Sequence, residues 1–525
     1  MARLHPFSST TTKASLVALL ALSALLPSGT AAAANSEWVH PNNKGALVYK
    51  KLVSGDSIPD FSYAGYMSGG VALPIVPVKK TLIPSGADDT AAIQQALDEI
   101  ASMDAVNGFR GALLLAPGIF HCSSTIVLAQ SGVVLRGSGS ISTILELTGQ
   151  PHLGVAIRGD SRSIQSVGSP VPISDPYVPA GANSFRVKDP ANFAAGDTIQ
   201  IIRPVTDEWI RFMGMDDLKR NGKKQTWVSG DIRTERSISR ISGNTLYVDV
   251  PLTDSFDAKY LGVGGTKVIK INRAGLISQV GIENLRLVAP PQKITLGQRS
   301  YSAVTMRGAV DSWLRDIEII DTTNGVSIGD GTKRITVEKV NVVQNVPIIG
   351  GAKPADFAVS GSQVLFDRIS GSGDSTFYFA TQARVQGPNV ILNCTFHGNG
   401  HIQPHQRWAT GLLIDGCKIP EGGIDLQNRG EMGSGHGWAI GWSVAWNNEA
   451  QSFVIQQPPG SMNWSIGNRG EEKRIPMPTY GSPKQTEPLP QGIVDSPGKA
   501  VKPGSLYLEQ LLRRLGPKAL KNIGY

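Results

Sequence analysis

A recurrence constrains this chain more than anything else in it. The runs WLRDIEI, ITVEKVNV, VLFDRIS, VILNCTF and LLIDGCKI return about every 22 to 29 residues across positions 313–419. Asn or Asp recurs near the turns that end them. A unit this short cannot bury its own inner face, so neighbouring units must stack into a β-solenoid. The 525-residue length would otherwise suggest several domains, but a solenoid grows in one dimension. The 59 glycines and 6% aromatic residues also suit short strands joined by tight turns.

The N-terminus has the layout of a secretory signal. Arg3 and Lys13 give a positive start, an apolar stretch runs from Ala14 to Leu26, and Ala31 to Ala34 supply small residues for cleavage. The stretch is too short to span a bilayer, so residues 1–34 are expected to be removed from a secreted, extracellular or periplasmic protein with no membrane attachment. Residues 35–171 hold an N-terminal extension, a capping helix and the first coils. In PSGADDTAAIQQALDEIA, Asp88 or Asp89 can N-cap a helix whose apolar face is Ala92, Ile93, Ala96, Leu97 and Ile100.

The helix opened by GADDT is followed by a strand ending LLAPG, a strand STI and a strand GVVLRGSG. This ordered series resembles the N-terminal part of the pectate-lyase-like right-handed parallel β-helix proteins. The resemblance implies an all-β fold, a single-stranded right-handed parallel β-helix. Residues 172–260 break the coil rhythm. They contain strand pairs with Gly and Asn turns and the polar stretch TDEWIRFMGMDDLKRNGKKQTW, which reads as an inserted β subdomain with a long loop. Coils resume over 261–475. Residues 476–525 form a Pro-rich tail with a short amphipathic helix, LYLEQLLRRLG, expected to cover the open C-terminal end of the solenoid.

Three cysteines, Cys122, Cys394 and Cys417, make neither a disulfide framework nor a zinc pattern. Cys394 and Cys417 sit in similar strands and read as stacked buried thiols. Loss of Arg3 and Lys13 would lower the formal charge from +8 to +6. A basic exported protein favours an acidic polymer. No Lys/Arg-rich run or nucleic-acid motif is present, which disfavours a nucleic-acid partner. The chain is expected to be a monomer.

The candidate site lies in residues 387–470, which hold four of the eight histidines and five of the nine tryptophans. HQRW brings His405 and Arg407 to one side if the segment is extended. QNRG supplies Asn428 and Arg429, and GSGHGW supplies His436 between glycines. These residue types suit β-elimination on a uronate polymer. Cations or hydrogen-bond donors (here Arg407, Asn428 and Arg429) neutralise the carboxylate and acidify the adjacent C–H. His405 or His436 then transfers the proton. His397, Trp408, Trp438 and Trp442 are expected to bind sugar, the indoles by stacking. No metal ligand set is assigned, and Ca²⁺ stays open as a cofactor.

The run HxRWATG…NRG…GSGHGW resembles that of a group of bacterial secreted pectate-lyase-like β-helix proteins, over about residues 60–470. Gly435-His436-Gly437 also resembles the GHG element of the polygalacturonases, but that family's NTD, paired-Asp and RIK motifs are absent. The local Arg motif of the calcium-dependent pectate lyases is absent as well. The expected function is cleavage of an acidic polysaccharide by a polysaccharide lyase. A glycoside hydrolase using Asp415, Glu421, Asp425 or Glu431 is the alternative enzyme, and an adhesin or carbohydrate-binding β-helix the non-enzymatic one. An epimerase would share the first proton abstraction.

Overall fold

In the computed structural model, residues 33–160, 162–262, 264–293, 298–346, 355–480 and 484–525 are described. All but the last two residues of the expected signal segment lie outside them. The recurrent runs form parallel strands that pair coil on coil. Trp313 pairs in register with Thr336, then Leu365, Val390, Leu413, Val444 and Trp464 follow in one row. A second ladder links Leu145, Leu287, Ile319 and Val342. A third links Val304, Val326, Phe357, Phe379, Ile402, Ile424 and Phe453. Each coil contributes to all three ladders in turn, the pattern of a parallel β-helix.

Successive side chains on a strand point to opposite faces. Leu314, Val337, Phe366, Ile391 and Ile414 of the first ladder therefore enter the central core, where Phe366 lies edge-on to Phe357 and Phe379. Their neighbours Leu365, Val390, Leu413 and Val444 face out, yet they are buried too. The extended segment before residue 77 covers them through Trp38, Val39, Phe61 and Ala64. Burial on both faces explains why these strands read as continuous apolar runs. The second ladder is more exposed and carries cross-strand ion pairs such as Arg286–Glu318, 2.6 Å apart.

The helix Thr90–Ala101 buries Ile93, Ala96, Leu97 and Ile100 against the first coil. Ala92 is exposed. The capping oxygen is Asp88 Oδ1, which accepts from Thr90 N at 3.1 Å, whereas Asp89 Oδ1 accepts from Ser85 N. Cys394 and Cys417 are buried free thiols in adjacent coils. The inserted unit is wider than the sequence suggests. A six-stranded antiparallel sheet includes Ile164–Pro172 and Lys267–Arg273, so it spans residues 164–273 rather than 172–260.

The C-terminal helix Leu506–Leu515 does not cover the end of the solenoid. It lies along the outer face of the first ladder, with Tyr507 and Leu511 among Leu365, Leu413 and Phe61. The outward apolar row of Leu365, Val390 and Leu413 needs cover, and this helix supplies part of it. The buried Asp415 anchors this helix: its Oδ2 accepts from Ser505 Oγ and Tyr507 N, each at 2.8 Å. Burial pushes its carboxyl up to about 7. Since the folded value is above the unfolded one, docking should be firmest at acidic pH and weaken as pH rises through 7. Asp415→Asn should abolish that dependence. Asp415→Ala should cost about 1–3 kcal/mol and speed proteolysis of residues 496–505.

Candidate functional site

Ile402 and Ile424 point into the core from the third ladder, so His401, Gln403 and Asp425 are turned outward. Asp425 is nearly buried. Its Oδ2 lies 2.8 Å from His401 Nδ1 and accepts from Gln403 Nε2 at 2.5 Å. The carboxylate thus holds a proton on Nδ1 and leaves Nε2 of His401 as the ring's working nitrogen.

Beside this pair, His405 and His436 stand edge to face with ring centroids 4.6 Å apart, and Phe377 lies 5.7 Å from His405. Close approach shapes the turn that carries His436. A Cβ on Gly433 would sit 2.0 Å from His436 Nε2, and one on Gly437 2.4 Å from Trp227. Both glycines have positive φ as well, 61° and 55°. Arg429 is 5% exposed. Its Nη1 donates to the His405 carbonyl at 2.9 Å, its guanidinium lies 5.3 Å from the Phe377 ring centre, and its Nε has no partner. Arg407 donates to Gln406 Oε1 at 2.9 Å and to Ser434 Oγ at 2.7 Å. Both guanidiniums therefore rest on uncharged acceptors.

Burial, aided by Arg429 and Arg407, lowers the His405 imidazole to about 4. Burial, the neighbouring His405 ring and the same two arginines lower His436 to about 3. Burial also lowers Arg429 to about 10, opposed by Asp425. At neutral pH the site holds uncharged imidazoles between charged guanidiniums.

The basic surface continues from there. Burial, aided by the charge of Arg384, lowers the pKa of Arg407, and Arg384 lines a cleft of about 570 Å³ between the inserted sheet and the coil turns. Arg233, Arg273 and Lys333 line it too, paired with Asp231 and Glu235, and Asp330 completes the lining. The inserted loop closes over the histidines from the other direction. Arg220 Nη1 donates to the Gly433 carbonyl at 2.5 Å, and its guanidinium lies 5.0 Å from the Tyr480 ring centre.

The structure brings His405, Arg407, Arg429 and His436 together and separates the other expected residues. Asn428 is buried in the turn. Its Oδ1 accepts from Gly430 N at 2.8 Å and its Nδ2 lies 3.8 Å from Met215 Sδ, so it shapes backbone rather than facing the site. His397 is exposed on the second ladder, 4.0 Å from Glu421 and on a different face. All three tryptophans are buried rather than displayed beside the histidines. Trp438 is buried and donates to the Met213 carbonyl at 3.1 Å. Trp408 donates to Asp254 at 3.2 Å inside a cluster with Trp209 and Trp227. Trp442 packs on Trp464 with ring centroids 6.1 Å apart. The inserted loop and the N-terminal segment cover these indoles, which the local sequence around them does not reveal.

The residues that sequence reasoning passed over are the His401–Asp425 pair, Arg220 and Tyr480. The first had a signal, since its 24-residue separation is one coil period and places both on adjacent rungs. Arg220 and Tyr480 come from the insertion and the tail and had none. Among the described residues no group of three His, Cys, Asp or Glu side chains could hold a metal ion.

No family model and no curated protein matches the chain. Solved structures similar to it include the tailspike protein gp49 of Pseudomonas phage LKA1, with TM-score 0.36, 13% identity, and coverage of 74% of this chain and 67% of that one. The alginate lyase of Paenibacillus sp. str. FPU-7 aligns with TM-score 0.34 and 11% identity over 79% of this chain and 99% of that one. The A-module of the Azotobacter vinelandii mannuronan C-5 epimerase AlgE6 aligns with TM-score 0.31 and 12% identity over 85% and 99%. No residue role is taken from any of them.

Proposed function

We propose that this protein is a secreted polysaccharide lyase that cleaves a uronate-containing polymer by β-elimination on a right-handed parallel β-helix. The right-handed sense follows from the strong preference of parallel crossover connections for that hand. One observation carries the functional reading: Arg407 and Arg429 flank neutral His405 while bonded only to uncharged acceptors. A substrate carboxylate supplies the missing anion, in the planar geometry guanidinium favours.

Its arrival also offsets the positive field that depresses His405, so the imidazole becomes a stronger base as substrate binds. His405 takes the proton from the carbon bearing the carboxylate, and His436 holds the ring edge-on. The C–O bond to the leaving sugar breaks, a C=C bond forms, and the imidazolium form of His401, its Nδ1–H held by Asp425, gives its Nε2 proton to the departing oxygen.

The test uses the chain from Asn35 onward with a panel of uronate and neutral polysaccharides, with and without a chelator. Ultraviolet absorbance of unsaturated uronate should rise together with new reducing ends on one or more uronate polymers. Reducing ends without absorbance would mean hydrolysis and would overturn the reading. The chelator arm reports any Ca²⁺ requirement.

A pH series gives a second check. The free enzyme's kcat/KM should hold down to about pH 5 and fall near pH 4, where His405 protonates, rather than between 6 and 7. Stability should follow the same groups. Both histidines titrate lower when folded than unfolded, so their contribution is complete above the unfolded value near 6.5 and is lost as pH falls towards 4 and 3. Thermal midpoints at pH 7 and 4.5 should differ less in a His405→Gln/His436→Gln variant than in the wild type.

A further inference from the structure

A second cavity, of about 540 Å³, opens between the inserted sheet, residues 52–54 of the N-terminal segment and the turns of the late coils. That size falls within the usual range for small-ligand pockets. None of His405, Arg407, Arg429 and His436 lines it. Its walls include the indoles of Trp209, Trp408 and Trp442. Phe212 and Tyr260 form another part, stacked with centroids 4.0 Å apart.

Three polar side chains of this lining hold buried donors without acceptors, beside the carboxylates of Asp254 and Asp257. Arg203 is 5% exposed, and its Nε and Nη1 have no hydrogen-bond partner. Trp442 Nε1 and Ser461 Oγ are also buried and unpartnered. Asp254 does not satisfy Arg203. Its Oδ2 is 3.8 Å from Arg203 Nε and instead accepts from Trp408 Nε1 at 3.2 Å, while its Oδ1 accepts from Ser255 N. Buried donors are rarely left unmatched, because each has given up its water without replacement. Three such side chains around one cavity call for a ligand rich in acceptor oxygens. The Trp209 ring, 4.0 Å from the Arg203 guanidinium, holds that charge in place.

We propose that this cavity is a non-catalytic binding site for an acidic pyranose, with the carboxylate on Arg203, the ring against Trp408 and Trp442, and ring oxygens accepting from Trp442 Nε1 and Ser461 Oγ. Aromatic faces suit the apolar side of a sugar ring and the donors suit its oxygens. The ligand class rests on the acidic-saccharide function proposed above; the unmatched donors do not.

The test titrates glucuronate, galacturonate, mannuronate and glucose into the chain from Asn35 onward, followed by indole fluorescence and calorimetry. One or more uronates should bind saturably, at least tenfold tighter than glucose. Arg203→Met and Trp442→Phe should each weaken that binding at least tenfold, while His405→Gln binds like the wild type. Trp442→Phe keeps an aromatic ring while losing the N–H and part of the stacking area, so it decides the matter if Arg203→Met does not fold. The proposal is overturned if no uronate binds the wild type, if glucose binds equally, or if binding falls in His405→Gln and not in Trp442→Phe. Polymer cleavage should be unchanged in Trp442→Phe. Uronate binding without cleavage of any polymer would remove the catalytic reading and leave this one standing.

Discussion

Arg429→Met should lower kcat/KM on the cleaved polyuronate by roughly 100- to 1,000-fold while the chain still folds, the range typical for losing a preorganised donor at developing charge. The guanidinium is buried, and among the described residues its hydrogen bond is to the His405 carbonyl. Methionine can fill the volume beside Phe377, and removing an unpaired buried charge offsets much of the lost hydrogen bond. Arg429→Lys should recover only part of the rate, since an ammonium restores charge without the planar two-point contact. The effect should appear mainly in kcat, because negative charge grows on the carboxylate as the proton leaves. Wild-type turnover in Arg429→Met would end the assignment of this face as the active site.

Trp313→Ala should be the most damaging single replacement for stability, at about 3–5 kcal/mol by the usual cost of such cavities. The ring is fully buried on the outer face of the first ladder, edge-on to Tyr66 at 5.7 Å and Phe109 at 6.3 Å. Its Nε1 donates to Glu283 Oε2 at 3.1 Å. Glu283 is itself fully buried between Arg136 and Arg315, so losing the indole also leaves an acceptor short. The tight fit has a reciprocal: a Cβ on Gly281, one coil below, would lie 2.4 Å from the Trp313 ring. Gly281→Ala should therefore cost about 1–3 kcal/mol by overpacking. The double variant should lose less than the sum, because alanine at 313 vacates the space alanine at 281 needs. Thermal melts and protease sensitivity near residues 60–77, which lie over this ring, would measure both.

Much of the fold was readable in the chain. The coil period, the helix over Ile93, Ala96, Leu97 and Ile100, and the stacked thiols of Cys394 and Cys417 are short-range consequences of residue order. The segments HQRW, QNRG and GSGHGW also pointed to one face, because neighbouring coils place residues about one period apart side by side. Direction within those segments was harder. Arg429 faces His405 while adjacent Asn428 turns into the backbone, a choice made by the bend of the turn. His401 and Asp425 were overlooked as a pair although their spacing matches the rungs.

What the sequence by itself determined is the repeat: parallel ladders, an apolar inner row, and the set of segments whose turns share a face. These depend on side-chain alternation and on pairing between neighbouring coils, which local order encodes. Only the tertiary structure decided what is covered. The Trp227 indole N–H donates to the Trp438 carbonyl across 211 residues, and the Tyr507 hydroxyl donates to the Ala64 carbonyl across 443. Through such contacts the inserted loop takes the expected indoles off the histidine face, leaving Trp408 and Trp442 to line an internal cavity, and the C-terminal helix lies along a ladder instead of capping its end. Apolar area is non-directional: a strand's pattern says that a face must be buried, but not which distant segment will bury it.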